Sequence, residues 1–137
     1  MKAVVVGAGR VGSAVARALD ADGWDVTVVD AREEALTLLG EGWKGGFVLG
    51  HGIDTTVLAD AGIADADVFV ASTNGDNTNI VVAQIAKRRY EVPSVAARIL
   101  DPHRAQFFSG RGFDVVSPTG TAIAELTGWA RAQDGRS

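Results

Sequence analysis

The chain has 137 residues, 47% hydrophobic and 22% charged, which fits one globular domain with one core and excludes a disordered chain. It has no cysteine, so disulfide frames and thiolate chemistry are excluded, as suits a reducing cytosol. The net charge of -4 excludes a general attraction to nucleic acid or anionic lipid, so a bound anion must be held by local geometry. Ala3–Val6 reads as a first strand and runs into Gly7-Ala8-Gly9-Arg10-Val11-Gly12. Arg10–Asp22 reads as a helix, with Val11, Val15, Ala18 and Leu19 at helical spacing and Gly23 as its stop. Asp25–Val29 is the second strand, and Arg32–Leu39 a short helix closed by Gly40. Gly46–Leu49 is a third strand, Thr55–Ala61 a turn or two of helix, and Asp67–Ala71 a fourth strand. Asp76–Arg89 is a long helix with an apolar side at Ile80, Val81, Ala83, Ile85 and Ala86. Ser94–Ile99 is the fifth strand, and His103–Ser109 a helix that Pro102 starts well. Asp114–Val116 is the sixth strand and Thr119–Arg131 a final helix. One domain is expected over residues 1–131, with a frayed tail over 132–137.

Strand and helix in alternation imply parallel strands with right-handed crossovers. Continuously apolar strands fit burial on both faces. The expected fold is α/β, a Rossmann-like doubly wound sheet with strand order 3-2-1-4-5-6. Its ligand crevice is expected at the carboxyl ends of strands one and four, where the order reverses. No apolar run approaches the ~20 residues of a membrane span. The single lysine before a short strand does not read as a signal peptide.

The G-x-G-x-x-G turn after a strand is built to hold a pyrophosphate. Gly7 allows the tight turn, Gly9 lets backbone approach phosphate, and Gly12 lets helix pack on strand. A helix N-terminus adds free N–H groups and a positive dipole end. Asp30 closes the second strand, 18 residues after Gly12, near the offset of the acid that binds a ribose 2′-hydroxyl. That carboxylate favours NAD over NADP, a preference that nearby Arg32 weakens. The plainer reading of Asp30 is an N-cap of the next helix, which aspartate does well, but turn, offset and βαβ context together favour the nucleotide role. Across the switch point lies Ser72-Thr73-Asn74-Gly75-Asp76, where Thr73 and Asn74 can reach a ligand or cap a helix. Arg98 ends the fifth strand in the same layer, facing a phosphate or an acid.

No catalytic set is present: the two histidines, His51 and His103, stand apart, and Tyr90 has no Tyr-x-x-x-Lys partner. Carboxylates are scattered, without metal-binding clustering. The domain reads as one that binds a nucleotide without transforming it. The alternative is the cofactor half of an NAD-dependent oxidoreductase, which needs an acid/base and a substrate pocket that the sequence does not offer. A DNA-binding regulator has still less support, because Lys87-Arg88-Arg89 reads as the solvated end of a helix. The final helix, with Ile123, Leu126 and Trp129, is either an interface or ordinary packing on the sheet, and Phe107-Phe108 has the same two readings.

Several stretches are more specific than the glycine turn. They are GAGRVG, VVD at 28–30, LADAGIADADVFVASTNGDNTNIVVAQIAKRRY at 58–90, AARILDP at 96–102 and GFDVVSPTGTAIAELTGW at 112–129. Together they resemble the N-terminal nucleotide-binding domain of TrkA-type potassium-uptake proteins, the KTN or RCK N-domain, over essentially the whole chain. The resemblance implies a cytosolic regulatory domain at the inner face of the cell membrane. Such a domain binds NAD(H) or ATP/ADP, assembles as a dimer or ring, and gates a potassium-transporting membrane subunit without inserting in the membrane or binding nucleic acid. By position, Gly7, Ala8, Gly9, Arg10, Val11 and Asp30 would hold phosphates and ribose, Arg10 adding a cation. His51 and Gly52 would meet the adenosine end, and Thr73, Asn74 and Arg98 would line the rest. The family usually has Gly-Asp after strand three, where this chain has Gly50-His51, so ligand preference could differ. Arg98-Ile99-Leu100 stands where calcium-gated relatives place acids, so their calcium site is not expected. The C-terminal ligand-binding domain of many relatives is not in this sequence, which is either a piece of a longer chain or a domain that stands alone.

Overall fold

A computed structural model gives the architecture and describes residues 1–135. The strands are β1 (Lys2–Val6), β2 (Asp25–Asp30), β3 (Gly46–Leu49), β4 (Val68–Ala71), β5 (Ser94–Arg98) and β6 (Asp114–Val116). They form one parallel sheet in the order β3-β2-β1-β4-β5-β6, the expected doubly wound order. The helices are α1 (Arg10–Ala21), α2 (Ala35–Leu39), α3 (Thr55–Asp60), α4 (Asp76–Arg88), α5 (Pro102–Phe108) and α6 (Pro118–Ala132). A short 3₁₀ turn at Ile63–Asp65, not foreseen from the sequence, leads into β4.

The valines of β1 explain why it lies in the middle. Val4 and Val6 pack on one face with Phe69, Leu58 of α3 and Val82 of α4, while Ala3 and Val5 pack on the other with Ala16 of α1 and Leu39 of α2. Both faces are dry, so every residue from Ala3 to Val6 is buried. α1 and α2 thus cover one face, and α3, α4 and α5 the other.

Register aligns the tips of β1 and β4 with the penultimate residue of β2. Val6 pairs with Val29 on one side and Ala71 on the other. Past the tips, the Gly7 N–H donates to the Val29 carbonyl and the Ser72 N–H to the Val6 carbonyl, both at 2.8 Å. The strand order reverses here, with β2 and β4 diverging from β1 to leave a crevice.

The helix expected from Arg32 begins only at Ala35. Residues 32–34 are instead held in a turn, with the Arg32 N–H donating 2.8 Å to Asp30 Oδ1. Asp30 is therefore not the cap of α2, whose N-cap is Glu34. α6 buries no side chain, leaving Ile123, Leu126 and Trp129 54%, 68% and 67% exposed. Packing on the sheet is thus not its role within one copy of the chain. Phe108 packs partly against the core and stacks on Phe113, while Phe107 is exposed beneath the Arg111 guanidinium. The residues expected to form a tail begin inside α6, at Ala132; Arg136 and Ser137 lie outside the described residues.

Gly12 shows how tightly α1 sits on the strand tips. A Cβ there would overlap the Gly7 carbonyl oxygen and stand 2.7 Å from Ser72 Oγ. Gly12→Ala is expected to cost about 1–3 kcal/mol of stability, the usual range for overpacking. Urea denaturation checks this, with a lowered midpoint and an unchanged slope.

Candidate nucleotide site

A cavity of about 320 Å³ opens over the carboxyl ends of β1, β2 and β4. Gly7, Gly9, Asp30, His51, Gly52, Thr73 and Asn74 line it, so seven of the twelve residues singled out from the sequence meet at one wall or another. Ala8, Arg10, Val11, Gly12 and Arg98 are not part of its lining.

The turn is held from three directions. Gly7 has φ +94°, and a Cβ there would stand 2.6 Å from the Thr73 nitrogen. Only glycine suits both the backbone angle and the space. The Ala8 N–H donates 2.8 Å to Asp30 Oδ2, and the Ala8 methyl is buried against the α1–α2 side of the core. The Ser72 hydroxyl donates to the Gly7 carbonyl at 3.0 Å. These bonds fix the turn with no ligand contributing.

Gly9 differs from its neighbours. It caps α1 in an extended conformation, and a Cβ built there meets nothing within 4 Å. The fold therefore does not require glycine at position 9, and Gly9 is among the residues that line the cavity. No side chain caps α1, so the N–H groups of its first turn are available to an anion. Arg10 and Val11, the first residues of α1, are exposed at this end of the helix.

The opposite wall is organised by a residue the sequence reading passed over. Asn79, buried in α4, accepts from the Thr73 N–H at 2.9 Å and from the Thr73 hydroxyl at 2.6 Å. Its Nδ2 donates to the carbonyls of Thr73 and Arg98. An asparagine beside Ile80 on the inner side of an amphipathic helix was the available signal. Arg98 works in the same brace: its Nη2 donates 2.7 Å to the Thr73 carbonyl, and its Nε is buried without a partner. Asp76 accepts from the N–H groups of Leu100 and Asp101, tying α4 to the loop after β5. Gly52 is buried beside Val6, and His51 is exposed at the rim.

Asp30 is the one buried carboxylate, 7% exposed, among the described residues. Burial pushes its pKa up, but the Ala8 hydrogen bond, the Arg32 side-chain and backbone bonds and the Arg32 charge together outweigh it. The net result is a pKa below the ordinary 3.8. Arg32, also missed as a site residue, lines the cavity and is raised in turn by its bond to Asp30. No group of three or more histidine, aspartate or glutamate residues among those described could hold a metal ion.

A glycine turn, an uncapped helix end and a buried acid at the switch point define a Rossmann-type domain. The TrkA-N domain family model matches residues 3–118, and the chain belongs to that family. It is 42% identical over 117 residues to the Trk system potassium uptake protein TrkA of Streptomyces coelicolor, covering 85% of this chain and 52% of that protein. It thus spans about half the length of that relative. In fold it is similar to the TrkA-N domain of the inner membrane protein ybaL from Escherichia coli, with TM-score 0.81 and 19% identity, covering 93% of this chain and 95% of that one. It is also similar to GsuK bound to ADP, with TM-score 0.77 and 23% identity, covering 97% and 34% of the two chains. For the GsuK channel bound to NAD the TM-score is 0.70 at 20% identity, covering 84% and 21%.

The lowered pKa of Asp30 gives a signed pH dependence. The carboxylate stabilises the fold fully above 3.8, and that contribution is lost as pH falls through its depressed native pKa. Asp30→Ala is expected to be less stable than wild type at pH 7 by about 1–3 kcal/mol, the scale of a charged hydrogen bond. Chemical denaturation across pH should show this gap closing below 3.8.

Proposed function

We propose that this chain is the nucleotide-sensing regulatory domain of a potassium uptake system, binding NAD(H) or ATP/ADP without turning it over. The observation that carries the reading is the convergence of Gly9, the uncapped α1 N-terminus and Asp30 on one cavity at the switch point. Its Trk-system relatives support the process, potassium uptake, and the GsuK structures bound to ADP and to NAD support the ligand class.

In this reading the phosphates sit over Gly9 and the α1 N-terminus, where each favourable charge gains ~0.3–1 kcal/mol from the helix end. Arg10, at the first position of α1, adds a cation. The ribose meets Asp30, and His51 and Gly52 border the adenosine end. Thr73 and Asn74 close the far wall. Arg98 acts through the Thr73 carbonyl, as a positioning residue. The domain works at the cytoplasmic face through a potassium-transporting membrane partner; among the described residues no helix is long and apolar enough to cross a membrane.

Calorimetric titration with NAD, NADH, ATP, ADP and AMP, with and without magnesium, tests the reading. At least one nucleotide should bind without conversion. Gly9→Val should fold like wild type, because its side chain enters open space, and should lose binding. Asp30→Ala should weaken binding by ~1–2 kcal/mol. A Gly9→Val protein that binds like wild type would put the ligand elsewhere.

The chain also self-associates in this reading, as a dimer or ring, through α6. Its support is the exposed row Ile123, Leu126 and Trp129 on a helix that buries nothing against its own chain. Leu126→Glu is expected to shift sedimentation from oligomer to monomer while leaving nucleotide affinity unchanged. A wild-type protein that stays monomeric at high concentration with every nucleotide would refute this.

A further inference from the structure

An ionised carboxylate offers about four lone-pair positions to donors. At Asp30 all are taken. Oδ2 accepts from the Ala8 N–H at 2.8 Å and from Arg32 Nη2 at 3.4 Å. Oδ1 accepts from the Arg32 N–H at 2.8 Å and from Arg32 Nε at 3.2 Å. The two backbone donors belong to the glycine turn and to the turn after β2, and they stay. The two guanidinium donors come from a side chain that is 55% exposed and reaches Asp30 from the cavity wall. A ribose diol can bond to Asp30 only by displacing that guanidinium. While the guanidinium is in place, the pair carries no net charge. A 2′-phosphate arriving there meets a cation, where Asp30 alone would repel it.

We infer that Arg32 is a specificity-determining latch on the ribose subsite. Closed on Asp30, it competes with 2′,3′-diol nucleotides and offers an anchor to 2′-phosphorylated ones. This deepens the nucleotide-sensor reading and rests on it. The exclusion of 2′-phosphate by an acid at the end of β2 presumes a free carboxylate, and here the carboxylate is not free. A guanidinium fork matches phosphate oxygens better than a point charge does. The two ligand classes therefore depend on one side chain with opposite signs, which general loosening of the cavity would not produce.

The test compares AMP with adenosine 2′,5′-bisphosphate, which differ only in the 2′-phosphate, by calorimetry on wild type, Arg32→Gln and Arg32→Lys. Arg32→Gln should bind AMP about 2- to 5-fold more tightly, because an exposed ion pair no longer has to open. It should bind the bisphosphate about tenfold more weakly, through loss of a charge-assisted contact. Arg32→Lys keeps the cation without the fork and should fall between. If wild type binds AMP and the ratio of the two affinities is the same in all three proteins, the latch is refuted and the nucleotide site stands. If wild type binds neither compound, the nucleotide reading and the latch fail together.

Discussion

The hydrogen bond from the Ala8 N–H to the Asp30 carboxylate holds the working end of this domain together. It joins two chain segments 22 residues apart and places a buried negative charge directly beneath the glycine turn. Its geometry depends on strand register: Val6, the last residue of β1, pairs with Val29, so Asp30, one residue further along β2, comes within reach of the Ala8 N–H beyond the β1 tip. A one-residue slip would exchange the faces that Val4, Val5 and Val6 fill and carry Asp30 out of line with the turn. The same register that fills the core therefore aims the acid at the turn. The bonds that shape the turn are internal to the chain, and such internal bracing lowers the ordering cost of binding.

The three glycines of the turn do separate work. Gly7 and Gly12 serve the fold: a side chain at either would run into Ser72, Thr73 or the turn itself. Gly9 lines the cavity, and a side chain there would meet no atom of the fold. Stability and binding can thus be perturbed independently within six residues. On the far wall the Thr73–Asn79–Arg98 brace plays the part that Asp30 plays on the near one. It fixes the loop after β4, whose Thr73 and Asn74 line the cavity.

Most of this was legible in the sequence, for definite reasons. Apolar strands alternating with helical periodicity leave few arrangements, and the order of the sheet followed from them. The glycine turn with an acid at the end of the next strand located the crevice. Periodicity was blind to individual side-chain partners. The late start of α2 comes from the Asp30 carboxylate capturing the Arg32 amide, a contact that propensity does not encode. Asn79 was hidden because a polar residue beside a helix's apolar side reads equally as solvated. Arg98 could be placed at the tip of β5, but only tertiary structure shows that its guanidinium turns to the Thr73 carbonyl. The apolar pattern of α6 could not say whether the helix packs on its own sheet, and its exposure answers that for the single chain.

A turn held by internal bonds, an open helix end and a carboxylate already engaged make the proposed site one where a nucleotide would exchange local hydrogen bonds. Residue-resolved amide hydrogen exchange by NMR tests this most directly. In the free protein, the Ala8 amide should exchange slowly while those of Arg10, Val11 and Gly12 exchange fast. On adding ADP or NAD, the latter three should become protected and Ala8 should remain slow. Fast exchange at Ala8 in the free protein, or nucleotide binding that leaves residues 10–12 unprotected, would contradict the account.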